Sequence, residues 1–260
     1  MKAAFGEHVT VTMDGHVAVI TLDRPPHNFL SVEFASDLAD ACEAIDSEPM
    51  ARAIVLQSEG RSFSAGVDFS SSSVRPASPE AVTRGLYAQA ARLFSVRKPI
   101  VAAIQGAAIG GGLGLALVAD FRVVSPEARF AANFVKLGFH PGFGITYALP
   151  RLIGEQKAAL LMLTGRRING QEALDWGLAD ELVVGDQLRA AALRLASEIA
   201  ENAPLAVVAT RKTLREGLSA AIRTRTDIEL REQTNLRGTE DFQEGLRSVG
   251  ERRPGNFVGR

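Results

Sequence analysis

The chain has 260 residues, 46% of them hydrophobic, and 29 Lys+Arg set against 30 Asp+Glu leave a formal net charge of -1. That is enough apolar material for a full core, and the charge balance excludes a global field drawing the protein onto nucleic acid or an anionic membrane. An anionic ligand would have to be held by local groups.

The N-terminal "MKAAFGEHVTVTMDG" has no signal-peptide apolar stretch, and no run approaches the roughly 20 apolar residues that span a bilayer, so a soluble, cytoplasmic protein is expected. Asp14-Gly15 between two β-branched runs predicts a hairpin, because both central turn residues must tolerate positive φ. Ser31 is placed to cap a helix carrying Phe34, Leu38, Ala41, Cys42 and Ile45 at helical spacing, ending before Pro49. Cys42 is the single cysteine, which excludes an intramolecular disulfide, suits a reducing cytosol and reads as core packing. "AIVLQS" predicts a buried strand closed by Gly60. Residues 69–79, "FSSSSVRPASP", read as a mobile loop, after which Ser78-Pro79 opens a helix with Val82, Leu86, Ala90 and Leu93 facing inward. "PIVAAIQG" is the next buried strand and turn, followed by a glycine-led helix, "GGLGLALVA", and another strand, "FRVVS".

This alternation argues for an α/β architecture with mostly parallel pairing. From about residue 186 strands are no longer expected, and the rest reads as helices, one of them starting at Pro204.

Several familiar chemistries find no support. The glycine stretch does not meet G-x-G-x-x-G, since the sixth position counted from Gly112 is Leu117, and no G-K-[ST] occurs. "SFSAG" misses the nucleophile elbow because Ser62 stands where its first glycine belongs. His8, His16, His27 and His140 lie far apart with no metal-ligand spacing, so no metal is expected. What Gly110-Gly111-Gly112 does offer is a helix start whose amides lack internal partners and carry partial positive charge. One such amide, with a second from the turn in "RSFSAGVDF", would make an oxyanion hole; the same glycines would also serve tight helix-strand packing alone.

Those two segments, with "ITLDRPPHNFLS", "LGFHPGFGITYALPRLIG", "LTGRRINGQEALDWGLADELV" and "GERRPGNF", resemble the enoyl-CoA hydratase/isomerase family, the crotonase superfamily, over nearly the whole chain. The resemblance implies a spiral of strand-strand-helix units over residues 1–195 and a helical trimerisation region over 196–260. It implies a homotrimer or a dimer of trimers. It also implies an acyl-CoA substrate, with coenzyme A present as part of the thioester and no tightly bound cofactor. The thioester oxygen would accept from the N–H groups of Val67 and Gly111, whose turns include Gly66 and Gly110. By the same resemblance Arg24 and the backbone around Ala65, Asp68 and Phe69 would line the coenzyme, with Phe257 closing over it. Asp120 matches the family's "AD" and reads as a structural hydrogen-bond partner.

The chain departs from the family's hydratases at both positions where they carry a glutamate. Gly114 and Phe134 stand there, and neither can activate water or protonate an α-carbon. An aspartate that some relatives place near Pro141-Gly142 is missing too. His140 is the titratable candidate left in that loop, since a histidine can move protons near neutral pH. Tyr147 and Trp176 read as packing residues, His27 as surface and Asn28 as turn-forming. The expected function is therefore acyl-CoA processing through an oxyanion by isomerisation, decarboxylation, hydrolysis or C–C cleavage, or else acyl-CoA binding without catalysis.

Overall fold

The computed structural model describes residues 2–68 and 78–260, so Phe69 and most of the expected serine loop lie outside the described residues. The chain opens with β1 (Lys2–Phe5), β2 (Val9–Asp14) and β3 (Val17–Leu22), the last two joined as expected through Gly15 at φ +54°. Next come α1 (Val32–Ser47), capped by Ser31, then β4 (Ala53–Ser58), β5 (Ser62–Ser64) and α2 (Pro79–Leu93), capped by Ser78. The unit repeats as β6 (Ile100–Ile104), β7 (Ala107–Ile109) and α3 (Gly111–Ala116), then as β8 (Phe121–Val124), β9 (Arg129–Ala131) and a 3-10 turn over Asn133–Leu137. After α4 (Ile145–Ile153), α5 (Glu155–Thr164), β10 (Arg167–Asn169), α6 (Gly170–Asp175) and β11 (Glu181–Leu182), the chain is helical. It ends with α7 (Leu188–Ala200), α8 (Pro204–Leu214), α9 (Leu218–Arg237) and α10 (Glu240–Gly250).

Seven strands form one sheet in the order β1-β2-β3-β4-β6-β8-β11, antiparallel through β3 and parallel beyond it. Its central strands are covered on both faces, which is why they read as unbroken apolar runs. On one face Leu188, Ala191, Ala192, Ala196 and Ala200 of α7 pack on Val17, Val55, Val101 and Val123; the alternate residues Ile20, Ile54, Leu56 and Ile104 enter the main core. The expected division at residue 195 falls inside α7. In α2, Val82 is on the surface, and Tyr87 joins Leu86, Ala90 and Leu93 in the buried face.

A second sheet, β10-β9-β7-β5, is the part that hydropathy patterning did not disclose. Its strands have three residues each, too short to show alternation. Each of β5, β7 and β9 continues a long strand after a short turn, so the fold is a spiral of strand-strand-helix units. Those three strands run parallel, with Ser64 opposite Ala108 and Ile109 opposite Ala131, and their C-terminal ends open along one edge. The two glycine turns leave the sheet there.

Candidate active site

The C-terminal edge of a parallel sheet is where main-chain groups are freed from the ladder. β5 runs into Ala65-Gly66-Val67, turning through Gly66 at φ +78°, while β7 runs into Gly110 at φ +55° and then the first residue of α3, Gly111. The turns are in direct contact. A Cβ placed on Gly66 would lie 2.6 Å from Ile109 O and 3.1 Å from Gly111 N, and one on Gly112 would collide with the Ser64 carbonyl. Only hydrogen fits there.

Most amides around these turns are used. Gly110 N donates to Ala131 O at 2.9 Å, Ala65 N to His27 O at 3.0 Å and Gly66 N to Ser64 Oγ at 3.3 Å. Among the described residues, Val67 N and Gly111 N donate to nothing. Gly111 is the first residue of α3, where an amide has no acceptor inside the helix.

The first turn is set by the loop between β3 and α1. Buried Asn28, at φ +51°, donates through Nδ2 to Glu59 O at 2.9 Å and Ser62 O at 2.8 Å, and its Oδ1 accepts from Arg24 N at 2.7 Å. Ser64 Oγ donates to Asn28 O, and Leu30 N to Gly66 O, each at 2.7 Å. Asn28 is thus the turn-former expected. The Arg24 guanidinium donates to Phe29 O and lies over the Phe34 ring at 5.8 Å, leaving part of this half-buried group for another partner. His27 is exposed, as expected, with its ring near Ser62 Oγ. Asp68 is half-buried just beyond Val67.

Behind the second turn the surroundings are aromatic. The position of a Cβ on Gly110 is 3.6 Å from Phe134 Cζ, and one on Gly114 would be 2.7 Å from Phe143 Cδ1. Phe143 is 3% exposed and holds φ +63°. It belongs to the 138–144 loop that also carries His140. Half-buried His140 donates through Nδ1 to Pro141 O at 2.7 Å, which fixes one proton there and leaves Nε2 as the acceptor of the neutral ring.

Side chains from distant helices hold this loop. Gln233 Nε2 of α9 donates to His140 O at 2.7 Å, and the Tyr87 hydroxyl of α2 lies where a Gly142 Cβ would be. Fully buried Glu229 of α9 accepts from Gly144 N at 2.8 Å, Thr146 N at 3.1 Å and Thr146 Oγ1 at 2.6 Å. Burial pushes its carboxyl up to about 7, against the pull of those donors and of Arg225. Burial also raises the Tyr87 hydroxyl well above the ordinary phenol range, with Glu229 adding to the shift. None of these three was singled out from the sequence. The available signal was a carboxylate on the face of α9 that buries Leu218, Ile222 and Thr226.

At the far end of the glycine segment, Asp120 takes the structural role expected of it. It accepts from Ile100 N at 2.8 Å, from Arg211 Nε of α8 at 2.8 Å and from Arg215 Nη1 at 2.7 Å. Arg122 and Arg215 also cap the carbonyls of Ala119 and Val118. Tyr147 stacks between Arg151 and Arg225, and Trp176 packs on the core beneath Lys157. Buried Cys42 has its thiol pushed up to about 12, mainly by desolvation, which makes it an inert packing group. Phe257 lies in a C-terminal tail tethered by Val258 N and Gly259 N to the Asp241 carboxylate, and its ring is 43% exposed.

The arrangement has known counterparts. A family model described as Enoyl-CoA hydratase/isomerase matches residues 12–260. The chain is 33% identical over 259 residues to a probable enoyl-CoA hydratase of Bacillus subtilis (strain 168), covering 96% of this chain and 98% of that protein. It is 35% identical over 256 residues to the (E)-benzylidenesuccinyl-CoA hydratase of Thauera aromatica, covering 96% and 99%. Among solved structures, an enoyl-CoA hydratase/isomerase from Pseudoalteromonas atlantica T6c aligns with TM-score 0.87 at 28% identity, over 97% of this chain and 100% of that one. A match that runs through both glycine turns and on to the last residue leaves one conclusion: the chain belongs to the enoyl-CoA hydratase/isomerase family.

Proposed function

We propose that the protein binds an acyl-CoA thioester with its carbonyl oxygen between the N–H groups of Val67 and Gly111, and processes it through an enolate or tetrahedral oxyanion. The observation carrying this reading is the pair of amides, in two touching turns at one sheet edge, that have no partner among the described residues. Two fixed donors stabilise negative charge where it develops, and loss of one typically costs about 10² to 10³ in rate. Arg24, Ala65, Asp68, Phe69 and Phe257 would take the coenzyme, and Gly66, Gly110, Gly114 and Phe134 would border the thioester. No tightly bound cofactor is needed for that chemistry.

Relatives named hydratases add or remove water at CoA thioesters, yet here Gly114 and Phe134 occupy the positions where the resemblance places the hydratase carboxylates. We therefore favour isomerisation or hydrolysis, with His140 Nε2 accepting the proton from the α-carbon or from water, or decarboxylation, in which CO2 leaves and the enolate held by the two amides takes its proton from solvent. A non-catalytic acyl-CoA-binding protein is the second reading, supported by the phenyl ring of Phe143 packed where a side chain at position 114 would stand. Assembly as a homotrimer or dimer of trimers through the C-terminal region, from about residue 196, is supported by the apolar exposure of α8, where Leu205 is 85% and Leu214 73% exposed.

Incubation with crotonyl-CoA, a 3-enoyl-CoA and malonyl-CoA, each followed by mass spectrometry beside a calorimetric titration with CoA, separates these readings. Conversion of the 3-enoyl or malonyl thioester is expected. Rapid hydration of crotonyl-CoA would overturn the assignment against water addition, and binding without turnover would select the second reading.

A further inference from the structure

Phe143 holds a backbone conformation that glycine adopts freely and a phenylalanine does not, between Gly142 and Gly144. Such strain survives only where the surroundings enforce it. Here they do so from three sides: Gln233 holds His140 O, Glu229 holds Gly144 N and Thr146, and the Tyr87 hydroxyl presses on Gly142. The result is one buried ring seated on the bare backbone of α3 at Gly114, 2.7 Å from where a Cβ would be. Gly114 lies one turn along from the donor amide of Gly111, and its own N–H bonds to Gly110 O at 3.1 Å. The second ring, Phe134, faces Gly110 itself.

From this juxtaposition we propose that Phe143 is the specificity-determining residue of the acyl site. Its ring fills the volume beside the glycine-led helix and ends the acyl pocket there, so the site takes a short, apolar acyl group and rejects an aryl one. This inference rests on the acyl-CoA reading given above. Phe143 and Gly114 act as a matched pair: a side chain at 114 and a ring at 143 cannot be present together without displacing the loop.

The test is calorimetric binding of two unreactive thioesters, butyryl-CoA and phenylacetyl-CoA, to the wild type, to Phe143→Gly and to Phe143→Leu. Glycine keeps the left-handed backbone, and leucine keeps most of the volume without the ring. The wild type is expected to prefer butyryl-CoA, and Phe143→Gly to shift that ratio toward phenylacetyl-CoA by about tenfold or more, the scale on which pocket volume discriminates. Phe143→Leu is expected to shift it in the same direction by about threefold. An unchanged ratio in folded Phe143→Gly, or in Phe143→Leu should the glycine variant not fold, overturns the proposal, as does a wild-type preference for phenylacetyl-CoA. Wild type that binds neither thioester refutes the acyl-CoA reading itself.

Discussion

The two donor turns and the 138–144 loop behind them are built in opposite ways. The turns are fixed chiefly by main chain on main chain, Gly112 against the Ser64 carbonyl and Gly66 against Ile109 O, with side-chain bonds from Asn28 and Ser64 across 34 and 36 residues. The loop is fixed by polar side chains reaching in from α9 and α2, across 83 to 93 residues in the case of Glu229 and Gln233. Backbone contact gives geometry that few substitutions can tune. Side-chain clamps can be changed singly, so under the proposed reading acyl preference is adjustable at the loop, whereas the geometry of the two glycine turns is not.

The steepest expected effect is on the main-chain side. Gly112→Ala puts a methyl into the Ser64 carbonyl and should destabilise by about 3 kcal/mol or more, read by urea unfolding. An alanine tolerated there would break the contrast. Next, Gly111→Pro removes one donor at a helix position where proline is accepted, and should lower turnover of whichever thioester the screen identifies by about 10² to 10³. Normal turnover in that variant would remove Gly111 N from the oxyanion hole.

On the loop side the effects are smaller and one depends on pH. The Glu229 carboxyl is raised from 4.5 to about 7 in the fold. Between those values the folded protein keeps a proton that the unfolded chain releases, so stability falls as pH rises through that window and levels off above it. At about 1.4 kcal/mol per pH unit, the wild type should lose up to ~3 kcal/mol relative to Glu229→Gln, measured by unfolding at pH 5 and pH 8. Parallel pH profiles would show that Glu229 does not titrate there. Least, Tyr87→Phe removes one hydroxyl from the clamp at Gly142 and should cost about 1 kcal/mol, with the Val67 and Gly111 amides unaffected in thioester affinity.

Legibility in the sequence follows the same division. The Asp14-Gly15 hairpin, the helices capped by Ser31 and Ser78, and the apolar runs of β4 and β6 all announce themselves through local chemistry. So do the donor turns, because glycine runs at strand ends mark close backbone approach. The small sheet was hidden by three-residue strands, although it is the element that brings both turns to one edge. The loop clamp was hidden because Glu229 on α9 meets Thr146 only through tertiary packing, and a helical carboxylate is ordinarily a surface group. Val82 shows the converse error, an apolar residue on the expected face that the fold leaves outside.

The grip of Arg211 and Arg215 on Asp120 has a bearing on how the polypeptide can be cut. A chain ended after α7 would strip that carboxylate of both cations and leave the trailing carbonyl of Val118 without its guanidinium, just past the end of the helix that starts at Gly111. The C-terminal helices are therefore a brace for the glycine-led helix α3, inseparable from the spiral to which they are appended.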